Sequence, residues 1–93
     1  MQRDNLIRDK TFNFALMTIQ LYKICRVQNE YVLSRQLLRS GTSIGANVQE
    51  ALAEFSEKDF LYKMSVASKE ASETQYWIEL LCRSELVNFD AQP

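Results

Sequence analysis

Carboxylates crowd the second half of this chain: Glu50, Glu54, Glu57, Asp59, Glu70, Glu73 and Glu79. At helical spacing such groups are the raw material of metal-binding bundles and of acid-base catalysis. Glu70 and Glu73, three residues apart, share one helix face, and Glu50 falls across from them if its own helix runs antiparallel. A di-metal bundle, however, also needs inward histidines, and the sequence contains none. The same absence removes Ser-His and Cys-His nucleophile pairs and the usual zinc sites. No catalytic residue, cofactor or metal is therefore expected, and the chain is not read as an enzyme.

The polar groups that remain have other uses. Asn47 sits beside an apolar seam, between Ile44 and Val48, where it could hydrogen-bond Glu70; with Glu50 these form an expected polar cluster that fixes helix register. Cys25 and Cys82 lie far apart within helical patterns and read as reduced, partly buried thiols. Lys23, Arg26, Arg35 and Arg39, with Lys63 and Lys69, are the basic residues that could converge on nucleic acid. Against this stands a net charge of −1, from 11 basic and 12 acidic side chains, where a general nucleic-acid binder is strongly basic. A mixed-charge solvated surface is the simpler reading of these residues. Tyr76 and Trp77 either cover a bundle edge or contact another subunit, with a base-stacking platform as the alternative.

Long helices must position all of these groups. Two glycines, one terminal proline and 46% apolar residues in 93 positions favour uninterrupted helices in a single small domain. In the central stretch, Ser34, Leu37, Gly41, Ile44, Val48, Ala51 and Phe55 alternate at spacings of three and four, the seam of a helix packed lengthwise on others. Gly41 and Gly45 lie one turn apart there. Each costs ~1 kcal/mol relative to alanine in an exposed helix, so a closely approaching neighbour is implied. Phe60, Met64, Ala67, Ala71, Thr74, Ile78 and Leu81 form the next seam, whose small middle at Ala67 and Ala71 is expected to face the glycines.

The expected helices span about 10–27, 35–54 and 57–83. Phe12, Ala15, Ile19 and Tyr22 make one apolar line on the first, and Phe14, Met17, Leu21 and Ile24 another, so it touches more than one neighbour. Ser34 is the expected cap of the second helix, with Leu33 stapled onto Leu38. Ser56 is that of the third, with Asp59 in its capping box and Phe55 stapled onto Phe60. After Cys82 the pattern weakens; Leu86, Val87 and Phe89 add a last turn or an extended piece, and 90–93 reads as a frayed end. No run of 18 apolar residues suggests a membrane span, and MQRDNLIRDK does not look like a signal peptide. A cytoplasmic protein is the expectation.

The run from Gln36 to Leu81, QLLRSGTSIGANVQEALAEFSEKDFLYKMSVASKEASETQYWIELL, closely resembles the bacterial four-helix-bundle proteins encoded in intervening sequences of 23S ribosomal RNA genes, also labelled S23 ribosomal proteins. The segment FNFALMTIQLYK, Phe12 to Lys23, is similar to their first helix. Arg39-Ser40-Gly41-Thr42-Ser43-Ile44-Gly45-Ala46-Asn47, then Glu50-Ala51, Lys69-Glu70-Ala71 and Tyr76-Trp77, carry the likeness. It implies an up-and-down bundle assembling into rings, typically pentamers. The family is also similar to the nucleic-acid-associated accessory protein of diversity-generating retroelements, whereas this chain lacks the strong basicity of such relatives. The expected architecture is an all-α, up-and-down antiparallel bundle of three long helices, with a fourth truncated, absent or supplied by a neighbour. The expected role is that of a non-enzymatic, homo-oligomeric interaction protein, the alternative being an RNA- or DNA-binding accessory protein acting through a local basic patch.

Overall fold

The computed structural model describes residues 2–90, with side chains from Asn5 onward. Within them the chain forms three α-helices, α1 (Gln2–Val27), α2 (Val32–Leu52) and α3 (Glu57–Arg83). The first begins well before the expected position near residue 10, because the charged lead-in contains no helix breaker. The sequence reading placed the other two to within three residues.

Both corners are short, and each has a local chemical cause. At the end of α1, Asn29 takes the left-handed conformation, φ 66°, with its N–H on the Arg26 carbonyl and that of Glu30 on the Cys25 carbonyl, at 3.0 and 2.9 Å. This is the Schellman pattern, with asparagine in place of the usual glycine. Glu30 then turns its carboxylate onto the start of α2 and accepts from the backbone N–H groups of Val32, Leu33 and Ser34. The cap is thus Glu30 and not Ser34, whose buried hydroxyl instead donates back to the Glu30 carbonyl at 2.8 Å. Burial works to raise the Glu30 pKa, but the three N–H donors outweigh it and hold the carboxyl below its ordinary range.

The second corner follows its expected cap and not its expected staple. Ser56 is extended, and its hydroxyl accepts the Asp59 N–H at 3.1 Å. Phe55, assigned both to the α2 seam and to a staple on Phe60, is fully exposed. The helix ends at Leu52, so Phe55 has left the periodicity that would have turned it inward.

α2 is the shared element. It packs on α1 and on α3, and among the described residues no α1 Cα lies within 8 Å of an α3 Cα. Paired positions run in opposite directions, Gly41 with Thr18 and Gly45 with Thr11 on one flank, Arg39 with Glu73 and Glu50 with Lys63 on the other. Neighbouring helices are therefore antiparallel. The glycines lie mid-helix as expected, but they face α1 and not the alanine-rich middle of α3. A Cβ on Gly41 would come within 2.5 Å of Thr18 Cγ2, and one on Gly45 within 3.2 Å of the Thr11 carbonyl oxygen. Of the two alanines assigned to that contact, Ala67 is buried and Ala71 is exposed.

At the end formed by the α1–α2 corner and the last turn of α3, Cys25, Leu37, Leu81 and Val87 make the core, with Leu21, Ile24, Leu33, Trp77, Ile78 and Phe89 around it. Val87 and Phe89 belong to the segment after α3, which adds no further helical turn but folds back. Gln28 holds it in place. Its side-chain amide donates to the Asn88 carbonyl at 2.7 Å and accepts the Asn88 N–H at 2.8 Å. Asp90 lies at the exposed end of this segment, and the rest of the expected frayed end, 91–93, falls outside the described residues.

Candidate interaction surfaces and the polar clasp

The α2–α3 seam is held by polar groups that the spacing only half revealed. Thr74 and Ser40, both buried, share a hydrogen bond at 2.8 Å, and the Thr74 hydroxyl lies 2.7 Å from the Glu70 carbonyl. One turn away, the Arg39 guanidinium reaches across to Glu70, at 3.0 Å, and to Glu73. Ser43 also donates to the Glu70 carboxylate, and the Trp77 indole N–H donates to Glu73 at 3.0 Å. The Trp77 N–H and then Arg39 hold the Glu73 carboxyl below the usual carboxylate range, against a weaker opposing effect of burial.

This clasp corrects the expected polar cluster. Glu70 does take part, but Asn47 turns back to the Ser43 carbonyl at 2.8 Å, and Glu50 pairs with Lys63 at 2.6 Å near the second corner. Arg39 was a candidate for nucleic acid; two carboxylates now occupy it. Because arginine presents a planar fork, it can bridge two carboxylates one turn apart, which a lysine cannot match.

The remaining basic candidates lie at the first corner. Arg26 donates to the Tyr22 hydroxyl at 2.8 Å and stands over the rings of both Tyr22 and Tyr31, 5.6 and 5.3 Å from their centroids. Lys23 and Arg35 are exposed nearby in sequence. Tyr76 and Trp77, the other aromatic candidates, meet edge to face at 5.3 Å, with Trp77 half-buried and Tyr76 exposed.

Beyond the clasp, the conspicuous feature is uncovered apolar surface. Leu6, Phe12, Leu16 and Met17 on α1 are each about half exposed or more. Because the α1 and α3 backbones stay apart, a groove of about 430 Å³ opens between them, lined by Thr11, Phe14, Ile44, Ala71, Thr74 and Ile78 with Lys10 and Gln75. A separate hollow of about 370 Å³ lies between α1 and α2, lined by Arg8, Phe12, Ala15, Thr42, Gly45, Ala46 and Gln49. Sequence periodicity had marked α1 as touching more than one neighbour: α2 packs along it, and at its C-terminal end Leu21, Ile24 and Cys25 share the core with Leu81 of α3 and with Val87. No group of three or more metal-ligating side chains occurs among the described residues, and none of their helices is long and apolar enough to cross a membrane.

Residues 3–92 match the family of 23S rRNA-intervening sequence proteins. The chain belongs to that family. A crystal structure of a protein of unknown function from the S23 ribosomal protein family of Bacteroides thetaiotaomicron VPI-5482 is 49% identical, with a TM-score of 0.87, over 94% of this chain and 79% of that one. Among curated proteins, none matches. The S23 likeness therefore extends from the Arg39 to Asn47 motif to nearly the whole fold. The motif residues that the family resemblance singled out, Arg39, Gly41, Ser43, Gly45 and Glu70, are the ones that join α2 to its two neighbours.

Proposed function

We propose that this member of the intervening-sequence family is a homo-oligomeric, non-enzymatic interaction protein. The carrying observation is the apolar surface of α1, where Leu6, Phe12, Leu16 and Met17 remain exposed beside two apolar recesses. A small domain with this much uncovered apolar surface gains by burying it against other copies, at ~25 cal/mol for each Å² removed from water. The clasp around Arg39 has a structural role in this reading, presenting the recesses on a rigid frame. Size-exclusion chromatography with light scattering tests the proposal. A mass that is a multiple of 10.8 kDa and persists on dilution supports it, and a monomer at all concentrations overturns it.

One observation favours a second reading, nucleic-acid binding through a local basic patch: Arg26 stands over the rings of Tyr22 and Tyr31, and Lys23 and Arg35 are exposed nearby in sequence. Stacking surfaces next to positive charge suit unpaired bases. Binding to an rRNA fragment that weakens as salt rises, and that is lost in a Lys23→Ala/Arg26→Ala/Arg35→Ala variant, is what this reading requires.

A further inference from the structure

Phe55 is the most exposed large apolar side chain described in this protein, fully open to solvent at the corner between α2 and α3. A phenylalanine is a costly residue to leave in water, and neither the cap at Ser56 nor the α2 seam uses it. Carboxylates lie on both sides of it in the chain. Glu54 and Glu57 flank it and Asp59 follows, with Lys58 the only opposing charge from 54 to 59.

The hollow between α1 and α2 has the complementary character. Phe12 and Ala15 from α1 and Gly45 and Ala46 from α2 give it apolar walls, and Arg8, loosely paired with the exposed Asp9 at 3.8 Å, is its one charged lining residue. At about 370 Å³ it has room for an aromatic ring, since a cavity of ~150 Å³ accommodates benzene. It exists because Gly45 and Ala46 leave α2 without bulk opposite Phe12.

We propose that Phe55 of one copy inserts into the Arg8–Phe12–Ala46 hollow of a second copy, with Glu57 approaching Arg8 at the rim. The inference rests on the homo-oligomeric reading above and gives it an interface. Knob and hollow are different patches of the same subunit, so the contact is head to tail: each copy gives one Phe55 and receives another, and the series closes into a ring if the rotation per step allows. Buried aromatic knobs of this kind are frequent centres of binding energy, and the charged rim sets which way the partner enters.

Four variants test it by light scattering and sedimentation. Phe55→Ser and Ala46→Trp both alter exposed positions; the first removes the knob, the second fills the hollow, and each is expected to weaken self-association at least tenfold. Mixed together, the two retain one intact hollow and one intact knob, and the expected product is a 1:1 heterodimer that grows no further. Arg8→Glu is expected to weaken assembly and the added Glu57→Arg to restore it. If the unaltered protein is oligomeric and Phe55→Ser leaves its mass and dissociation constant unchanged, this interface is wrong while the oligomeric reading stands. If the unaltered protein is a monomer, both fall.

Discussion

Gly41 of α2 and Thr18 of α1 stand so close that a single added carbon has no room: a Cβ on the glycine would lie 2.5 Å from Thr18 Cγ2 and 2.6 Å from its hydroxyl oxygen. Thr18 cannot swing aside, because its hydroxyl donates to the Phe14 carbonyl at 2.9 Å and the residue is buried. Gly41→Ala therefore sets a helix-propensity gain of ~1 kcal/mol against an overpacking cost of ~1–3 kcal/mol, and net destabilisation is the expected result in urea unfolding. Thr18→Ala in the same chain removes the two nearest obstructing atoms, leaving Thr18 Cβ at 3.0 Å, and should recover part of the loss. Gly45→Ala meets the Thr11 carbonyl oxygen at 3.2 Å, a looser contact, and is expected to cost less than Gly41→Ala.

The Arg39 clasp should behave as a coupled unit. Arg39 is half exposed and Glu70 largely covered, so solvent screening limits each ion pair. A double-mutant cycle with Arg39→Ala and Glu70→Ala should give a coupling energy of ~0.5–1 kcal/mol. Arg39→Lys should recover only part of it, since an ammonium does not span both carboxylates. Coupling indistinguishable from zero would mean that the Arg39–Glu70 pair adds nothing to the seam.

Acid should loosen the protein at two places. Glu30 and Glu73 both have lowered pKa values in the folded state. Their stabilisation is fully present above the unfolded carboxylate value of ~4.3 and is lost as pH falls through the lower folded values. Trp77, the single tryptophan, reports on Glu73 directly: its emission should change with a midpoint below ~4.3, and Arg39→Ala should move that midpoint upward. Glu30→Gln, which replaces a charged cap by a neutral one, is expected to lose ~1 kcal/mol at pH 7, a loss that shrinks as pH falls through the lowered Glu30 value.

The two thiols should separate cleanly. Cys25 is buried in the core, which, with the nearby Glu30 charge, pushes its pKa up to about 11, whereas Cys82 is exposed. In the folded protein a thiol reagent at pH 8 should modify one cysteine, lost in Cys82→Ser, and the second should react only after denaturation.

Helix type, the bounds of α2 and α3 and the buried positions Leu37, Val48, Ala51, Ala67, Thr74 and Leu81 were legible in the sequence, because an alternation of three and four fixes a helix face, whereas the start of α1 was placed eight residues late. What spacing does not say is which neighbour that face meets. Gly41 and Gly45 went to α1, since α2 divides its surface between two helices, glycines toward one and Ser40 and Ser43 toward the other. The Glu30 cap was hidden because its carboxylate acts from outside the periodic segment, and the Asn29 corner because asparagine is a weaker left-handed signal than glycine. The clasp was half visible. Glu70 and Glu73 were read as one face, but an arginine assigned to nucleic acid turned out to be their partner, and distances across helices are absent from a linear pattern.

α2 packs along both α1 and α3, whose backbones stay apart, so most helix pairings can form as local hairpins without closing long loops. The long-range closures lie at one end, where Cys25 meets Leu81 and Val87 and the Gln28 amide holds Asn88, 60 residues away. Asn88 is exposed and its N–H is held only by the Gln28 side chain, so its amide hydrogen is expected to exchange early and to report on release of this closure.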